Sequence, residues 1–319
     1  MQPQIDEWLT SHTWAMRDWD ARAVAAAVHA AQLRIAVVLP ALNEEATVGT
    51  IVDAIHSHLV ADTGLVHDLV VVDSGSTDAT AAIAVEAGAR VVARTEVLPE
   101  IPVLPGKGEA MWRGLAATTA DIVVFIDADL QSFTADYVPA LVGPLVRDPS
   151  LQLMKAIYER PLVAGESVIP AGGGRVTELV ARPLLNQFWP NLAGVVQPLA
   201  GEYAGRRSLL ETLPFPCGYG VEIALLVDTY ERHGLESIGQ VDLGVRVHRH
   251  HDEQGLGVMA AEILDTVVRR LPAHSPRDHA ELVQFERTPR GYRATTRDLA
   301  ITERPPLATL CTGERVARA

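Results

Sequence analysis

Asp121-Ile122-Val123-Val124-Phe125-Ile126-Asp127-Ala128-Asp129 sets an unbroken apolar run between carboxylates. A short run of β-branched and aromatic residues, bounded by polar ones, predicts a buried strand. This strand would end in two carboxylates. Upstream the same grammar recurs. Ile35-Ala36-Val37-Val38-Leu39-Pro40 reads as a strand stopped by proline, and Leu69-Val70-Val71-Val72-Asp73 as a second. Val91-Val92 is a shorter third. Between them Val48, Ile51, Val52 and Ile55 recur at helical spacing. A helix capped by Thr77 or Asp78 is expected after the Ser74-Gly75-Ser76 turn, and another from about 107 to 118. Strands alternating with helices predict an α/β fold, a mostly parallel sheet covered on both faces. Ligands on such sheets bind beyond the carboxyl ends of the strands, where Asn43, Asp73, Ser74, Asp127 and Asp129 all fall.

Downstream the pattern is less regular. Leu151–Tyr158 and Val241–His250 read as strands, and 175–188, 221–232 and 256–270 as helices. Residues 16–32 read as an alanine-rich helix near Trp14 and Trp19. The stretch beyond about 288, rich in Arg, Thr and Pro, shows no period and predicts an extension without regular structure.

Composition narrows the class. The 319 residues carry a net charge of −13, with 48% hydrophobic and 21% charged residues. A chain so acidic is a poor candidate for nucleic-acid binding, which needs a cationic stripe. Among 27 basic residues only Lys107 and Lys155 are lysine. Two cysteines, Cys217 and Cys311, exclude a disulfide framework or a cysteine-rich zinc site and fit a reducing, cytoplasmic compartment. No apolar run approaches the roughly 20 residues of a membrane span, and residues 1–14 do not read as a signal peptide.

Two carboxylates one residue apart, Asp127 and Asp129, can aim at a hard cation such as Mg²⁺ or Mn²⁺, with a diphosphate as co-ligand. They can equally be a solvated turn. The cluster His248-Arg249-His250-His251 could add an imidazole ligand or be surface histidines. Gly172-Gly173-Gly174-Arg175-Val176-Thr177 opens a helix, as an anion site or as a capped loop. Glu222 follows Gly218-Tyr219-Gly220 and reads either as a binder of sugar hydroxyls or as a first-turn carboxylate complementing the helix dipole. Gly106-Lys107-Gly108 is not a phosphate loop, because Ile101 and Gly108 stand where Gly and Ser/Thr are required. The dinucleotide fingerprint fails at Met111 and Thr177. No G-x-S-x-G elbow is present.

In this order, Leu39-Pro40-Ala41-Leu42-Asn43-Glu44-Glu45, Val72-Asp73-Ser74-Gly75-Ser76-Thr77-Asp78 and Phe125-Ile126-Asp127-Ala128-Asp129 resemble the nucleotide-binding half of GT-A glycosyltransferases. Five further stretches sharpen the likeness: Pro105–Ala110, Gly172–Pro183, Gln197–Tyr203, Gly218–Ile223 and Leu243–Arg249. With them the chain resembles the actinobacterial glucosyl-3-phosphoglycerate synthases and their mannosyl relatives, from about 35 to 270.

The resemblance implies a GT-A fold, Rossmann-like in its first half, with an acceptor-binding C-terminal part. It divides the chain into a helical extension (1–34), a nucleotide-sugar half (35–157), an acceptor half (158–270) and a partly flexible extension (271–319). It implies a retaining transfer of glucose from UDP-glucose to the 2-hydroxyl of D-3-phosphoglycerate, a step toward methylglucose lipopolysaccharide, with Mg²⁺ or Mn²⁺ as cofactor. Pro40, Ala41, Leu42, Glu44 and Ser74 would line the uridine pocket with Lys107 nearby. Asp127 and Ala128 would lie on the donor side, and Asp129 and His248 would hold the metal. Gly174, Arg175, Thr177 and His250 would bind the acceptor. Tyr219 and Glu222 would shape the glucose site, the Leu199 backbone would face the anomeric carbon, and Arg246 would steady the diphosphate or the acceptor. His250 stands where the glucosyl enzymes carry Asn. The resemblance also implies a homodimer. Competing readings are mannosyl transfer from GDP-mannose, a sugar-phosphate nucleotidyltransferase and a non-catalytic nucleotide-sugar binder.

Overall fold

The computed structural model describes residues 3–159, 162–164, 167–169, 174–245, 253–271, 281–288, 291–299 and 301–310. Its centre is an eight-stranded sheet. In chain order the strands are β1 Thr13–Ala15, β2 Ile35–Ala41, β3 Asp68–Asp73, β4 Arg90–Ala93, β5 Ile122–Phe125, β6 Leu153–Glu159, β7 Tyr203–Arg206 and β8 Ile238–Val245. Their spatial order is β1-β8-β6-β7-β5-β2-β3-β4. Every neighbouring pair is parallel except those of β7, which runs antiparallel to both β5 and β6.

The predicted strands owe their unbroken apolar character to burial on both faces. Side chains alternate across a strand, so each strand feeds two cores. Val37, Leu39, Leu69, Val71, Ile122 and Val124 enter one core, with Val48, Ile51, Val52 and Ile55 from helix Val48–Ile55. Val38, Val70, Val72, Val123 and Phe125 enter the other, with Met111, Trp112 and Leu115 from helix Lys107–Ala117 and Val221, Ile223 and Leu225 from helix Val221–His233.

The antiparallel insertion of β7 matters for function. Tyr203, its first residue, pairs with Phe125, the last residue of β5. The incoming segment 197–202 therefore arrives at the same sheet edge as Asp127-Ala128-Asp129.

The chain differs from its sequence reading at both ends. The helix expected over 16–32 is restarted. A 3-10 turn covers Met16–Asp18 and the helix proper covers Ala21–Ala30, because the Asp20 side chain accepts from the Ala23 amide at 2.9 Å as an N-cap. Residues 13–15 instead form edge strand β1. Trp8 is buried, and its indole Nε1 donates to the carbonyls of Leu235 and Ile238 at 3.1 and 3.2 Å. Beyond about 288, where no period is visible, Gly291–Asp298 pairs antiparallel with Glu281–Thr288. Glu303–Arg304 then pairs with Phe215–Pro216. Trp112 Nε1 donates to the Pro305 carbonyl at 3.1 Å, and the Cys217 amide to the Thr302 carbonyl at 3.0 Å. Among the described residues no helix is long and apolar enough to cross a membrane.

Candidate active site

The loops after β2 and β3 are joined by reciprocal hydrogen bonds. The Asn43 carboxamide oxygen accepts from the Thr77 amide at 2.8 Å, while the Asn43 amide donates to Ser76 Oγ at 3.0 Å. The Glu44 amide donates to Thr80 Oγ1 at 2.8 Å, and Glu45 accepts from the Ala79 amide at 3.0 Å. Asp73 caps the turn, accepting from the Gly75 and Ser76 amides at 3.2 Å. Much of the polar signature at these strand ends therefore holds loop to loop. Pro40 and Glu44 are half-buried and Ser74 is buried, while Leu42 is exposed.

Asp127-Ala128-Asp129 follows β5. The Ile126 amide donates to the Val38 carbonyl at 3.1 Å, and Thr47 Oγ1 donates to the Ala128 carbonyl at 2.6 Å, which fixes the turn. Ala128 points into the core, and the two carboxylates are half-buried at the surface. Carboxylate oxygens are hard donors that suit Mg²⁺ or Mn²⁺, so Asp129 fits a divalent-cation ligand. His248 lies outside the described residues, as do His250 and Arg246. Among the described residues no three His, Cys, Asp or Glu side chains converge on one point. A cation at Asp129 thus needs further ligands from the rest of the chain or from a substrate diphosphate.

The structure brings Asp127, Lys107 and Glu222 together. Lys107 Nζ lies 2.5 Å from Asp127 Oδ1 and 2.8 Å from Glu222 Oε1. Burial on its own would lower the Lys107 pKa, but the two carboxylates hold it well above the usual value. Lys107 begins its helix because Gly106 turns with φ 113° and Gly108 lies flush against the Pro216 carbonyl. A Cβ on Gly108 would sit 1.8 Å from that oxygen. Glu222 opens helix Val221–His233, and the preceding Tyr219 amide donates to Glu262 Oε2 at 2.8 Å. On the opposite side Gly201 presses on Asp127. A Cβ there would come within 2.2 Å of Asp127 Oδ2.

Beneath this trio lies Lys155 on β6, which the sequence reading did not single out. It is 1% exposed; its Nζ donates to the Ala200 carbonyl at 2.6 Å and lies 4.6 Å from the centroid of the Tyr203 ring. Burial pushes its pKa down to about 8, against the attraction of Glu222, Glu202 and Asp127 and with the repulsion of Lys107. The one available signal was a lysine inside the run Leu153–Tyr158, which is otherwise Leu, Met, Ala, Ile and Tyr.

A second buried network supports the helix of Lys107. Glu109 accepts from Arg113 Nε at 2.7 Å and from Arg304 Nε and Nη2 at 2.5 and 2.7 Å. Glu109 and Arg113 are fully buried. The Arg304 guanidinium also stacks 5.1 Å from the Trp112 ring centroid.

Of the expected acceptor residues, Gly174 has φ 78°, Arg175 is exposed and Thr177 is buried at the start of a π-helical turn, Thr177–Ala181. Leu199 is half-buried, immediately before the carbonyl that Lys155 holds.

The sequence model of glycosyl transferase family 2 matches residues 36–162. The chain is 48% identical over 303 residues to the glucosyl-3-phosphoglycerate synthase of Mycolicibacterium smegmatis, covering 95% of this chain and 98% of that protein. It also superposes on crystal structures of the Mycobacterium tuberculosis enzyme of that name. With Mn²⁺, UDP and phosphoglyceric acid bound, the TM-score is 0.82 at 48% identity, covering 92% of this chain and 95% of that one. With Mn²⁺, UDP-glucose and phosphoglyceric acid, the TM-score is 0.81 at 48% identity, with the same coverage. With Mg²⁺ and UDP it is 0.83 at 48% identity, covering 94% and 99%.

Proposed function

The chain belongs to the glucosyl-3-phosphoglycerate synthases, and from that premise we infer that it transfers glucose from UDP-glucose to D-3-phosphoglycerate with Mg²⁺ or Mn²⁺ as cofactor. The observation that carries this reading is the cluster at the carboxyl edge of the sheet. Asp127 and Glu222 are bridged by Lys107, and Asp127 stands against the Gly201 backbone beside the Asp129 turn. Paired carboxylates are strong acceptors for sugar hydroxyls, and an adjacent ammonium supports negative charge on a leaving phosphate.

In this reading Pro40, Ala41, Leu42, Glu44 and Ser74 receive the uridine. Glu222 accepts from glucose hydroxyls, with Tyr219 beside it, and Asp127 and Ala128 face the ribose and sugar. Asp129 and His248 hold the cation, which neutralises charge developing on the diphosphate. Gly174, Arg175 and Thr177, with His250, receive the phosphate and carboxylate of the acceptor, and Arg246 steadies the anions.

Transfer goes to the 2-hydroxyl with retention at the anomeric carbon. The sequence motifs place no nucleophilic carboxylate behind that carbon, and in this reading substitution occurs on the face the diphosphate leaves. The C–O bond to the diphosphate breaks as the acceptor hydroxyl adds, and its proton passes to a diphosphate oxygen. The Lys107 ammonium stabilises that oxygen. The Leu199 backbone lines the anomeric side. A glycosyl-enzyme adduct trapped by mass spectrometry would refute this route. The enzyme works in the reducing cytoplasm as a homodimer, which light scattering of the purified protein tests.

The experiment for the reading as a whole is a product assay with D-3-phosphoglycerate and Mg²⁺, offering UDP-glucose, GDP-glucose and GDP-mannose separately, with the anomer read by NMR. Metal-dependent α-glucosyl product from UDP-glucose, absent with Asp129→Ala, is the expected result. Product chiefly from GDP-mannose would move the protein to the mannosyl branch. Slow release of UDP without transfer would point to a different acceptor, and to His250.

A further inference from the structure

Lys155 is one of only two lysines in the chain, and it is the one the reaction as described leaves unused. A fully buried ammonium is costly, and an apolar side chain in the same place would serve packing alone at less expense. Its surroundings say what the charge does. On β6 it sits in register with Tyr203 of the antiparallel strand β7, and its Nζ donates outside the ladder, to the Ala200 carbonyl at 2.6 Å. The next residue is Gly201, whose backbone packs flat on the Asp127 carboxylate. The residue before is Leu199. The peptide that walls the sugar site is therefore held from below by an ammonium and from above by a carboxylate. The charges around the ammonium are Asp127 from the β5 turn, Glu222 and Lys107 from their helices, and Glu202 from the strand entry.

We propose that Lys155 is a positioning residue for glucosyl transfer: its ammonium holds the Leu199-Ala200-Gly201 backbone against Asp127 and supplies the second cation under the carboxylates of the sugar site. This role rests on the glucosyl-transfer reading above. Lys155 acts on the Leu199-Ala200-Gly201 wall through the Ala200 carbonyl. Its effect falls on the placement of the sugar and not on nucleotide affinity. Its pKa near 8 leaves it charged at neutral pH, as the role requires.

The test uses the full chain with Lys155→Met and Lys155→Arg, measured for thermal unfolding, for UDP binding with Mn²⁺ by calorimetry, and for steady-state transfer to D-3-phosphoglycerate. A misplaced wall about 1 Å from its productive position is worth about 100-fold in rate. Lys155→Met is therefore expected to bind UDP within about threefold of wild type while kcat drops about 100-fold, with a smaller change in KM for UDP-glucose. Lys155→Arg, which keeps charge and donors, is expected to recover at least about a tenth of the wild-type kcat. A Lys155→Met enzyme with kcat within about threefold of wild type overturns the role. So does a proportional loss of UDP binding and kcat, which marks general damage. If Lys155→Met does not fold, a folded, UDP-binding Lys155→Arg enzyme decides: no recovered transfer overturns the role, and transfer at the expected level supports it. Absence of transfer by the wild-type enzyme itself would instead refute the functional reading, and the positioning role would fall with it.

Discussion

Replacing Glu109 by glutamine removes one negative charge from the buried network behind the site while keeping the side chain's shape. Glu109 is fully buried and accepts from Arg113 at 2.7 Å and from both nitrogens of the Arg304 fork at 2.5 and 2.7 Å. The amide leaves two guanidiniums in the core facing a neutral group, one end of which is itself a donor. Removing one partner of a buried ion pair costs about 3–5 kcal/mol. Here each arginine keeps other acceptors. Arg113 retains the carbonyls of Val97, Leu98, Ile101 and Pro102, and Arg304 retains Pro102 and the Trp112 face. The lower end, about 3 kcal/mol, is therefore expected. For a chain of this size that is a fall in Tm of about 4–5 °C.

The assay is urea unfolding at pH 7.5 and again near pH 4, supported by calorimetry. The pH dependence has a fixed sign. Burial on its own raises the Glu109 pKa, but the hydrogen bonds from Arg304 and Arg113 outweigh it and hold the carboxyl below its usual 4.5. The stabilisation from ionised Glu109 is thus present in full above pH 4.5 and is lost as the pH falls through the folded value. The difference between wild type and Glu109→Gln should shrink on the acid side. Arg304→Met should couple to Glu109→Gln by about 1–3 kcal/mol in a double-mutant cycle, since both lie in one network. A Glu109→Gln cost under about 1 kcal/mol at pH 7.5, or additive effects, would refute the reasoning.

Gly201→Ala drives a methyl into Asp127, and steady-state kinetics should show kcat/KM for UDP-glucose falling by about 10²-fold with UDP binding kept; loss of UDP binding would show that the wall serves the nucleotide instead. Asp129→Asn keeps the size of the side chain but weakens a hard anionic ligand, so Mn²⁺ titration should show a higher metal requirement and a rate lower by about 10³-fold. Burial pushes the Cys217 thiol up to about 12 and places it 3.8 Å from a carboxylate oxygen of Glu109. Iodoacetamide at pH 8 should therefore label Cys217 only after unfolding, and mass mapping of the alkylated peptides checks it.

Short-range pattern made the frame legible. Burial on both faces writes itself into a strand as an unbroken apolar run, and a one-sided helix writes itself as spacing. The runs at 35–40, 69–73 and 122–126 and the helix carrying Val48, Ile51, Val52 and Ile55 could therefore be read residue by residue. The Asp127-Ala128-Asp129 turn was visible for the same reason, since a polar pair abruptly ends an apolar strand. Strands β1 and β7 were not visible. Neither shows an apolar run or a period in the sequence, and each exists through its pairing: edge strand β1 along β8, and β7 between β5 and β6. The purpose of the polar residues also lay beyond the sequence. Asn43 and Asp73 stand in a ligand-binding pattern, yet Asn43 spends its hydrogen bonds joining two loops and Asp73 caps its own turn.

The pairings that make the site belong to the tertiary structure alone. Lys107 meets Asp127 and Glu222, Lys155 meets the Ala200 carbonyl 45 residues away, and Arg304 reaches Glu109 across 195 residues. Local propensity carries no record of such distances. They arise because parallel crossovers bring successive strand ends to one edge, while the single antiparallel strand delivers segment 197–202 to that same edge. The types of residue at the strand ends were thus determined by the sequence. Which charge faces which, and which lysine lies below the sugar wall, was decided only when the sheet closed around them.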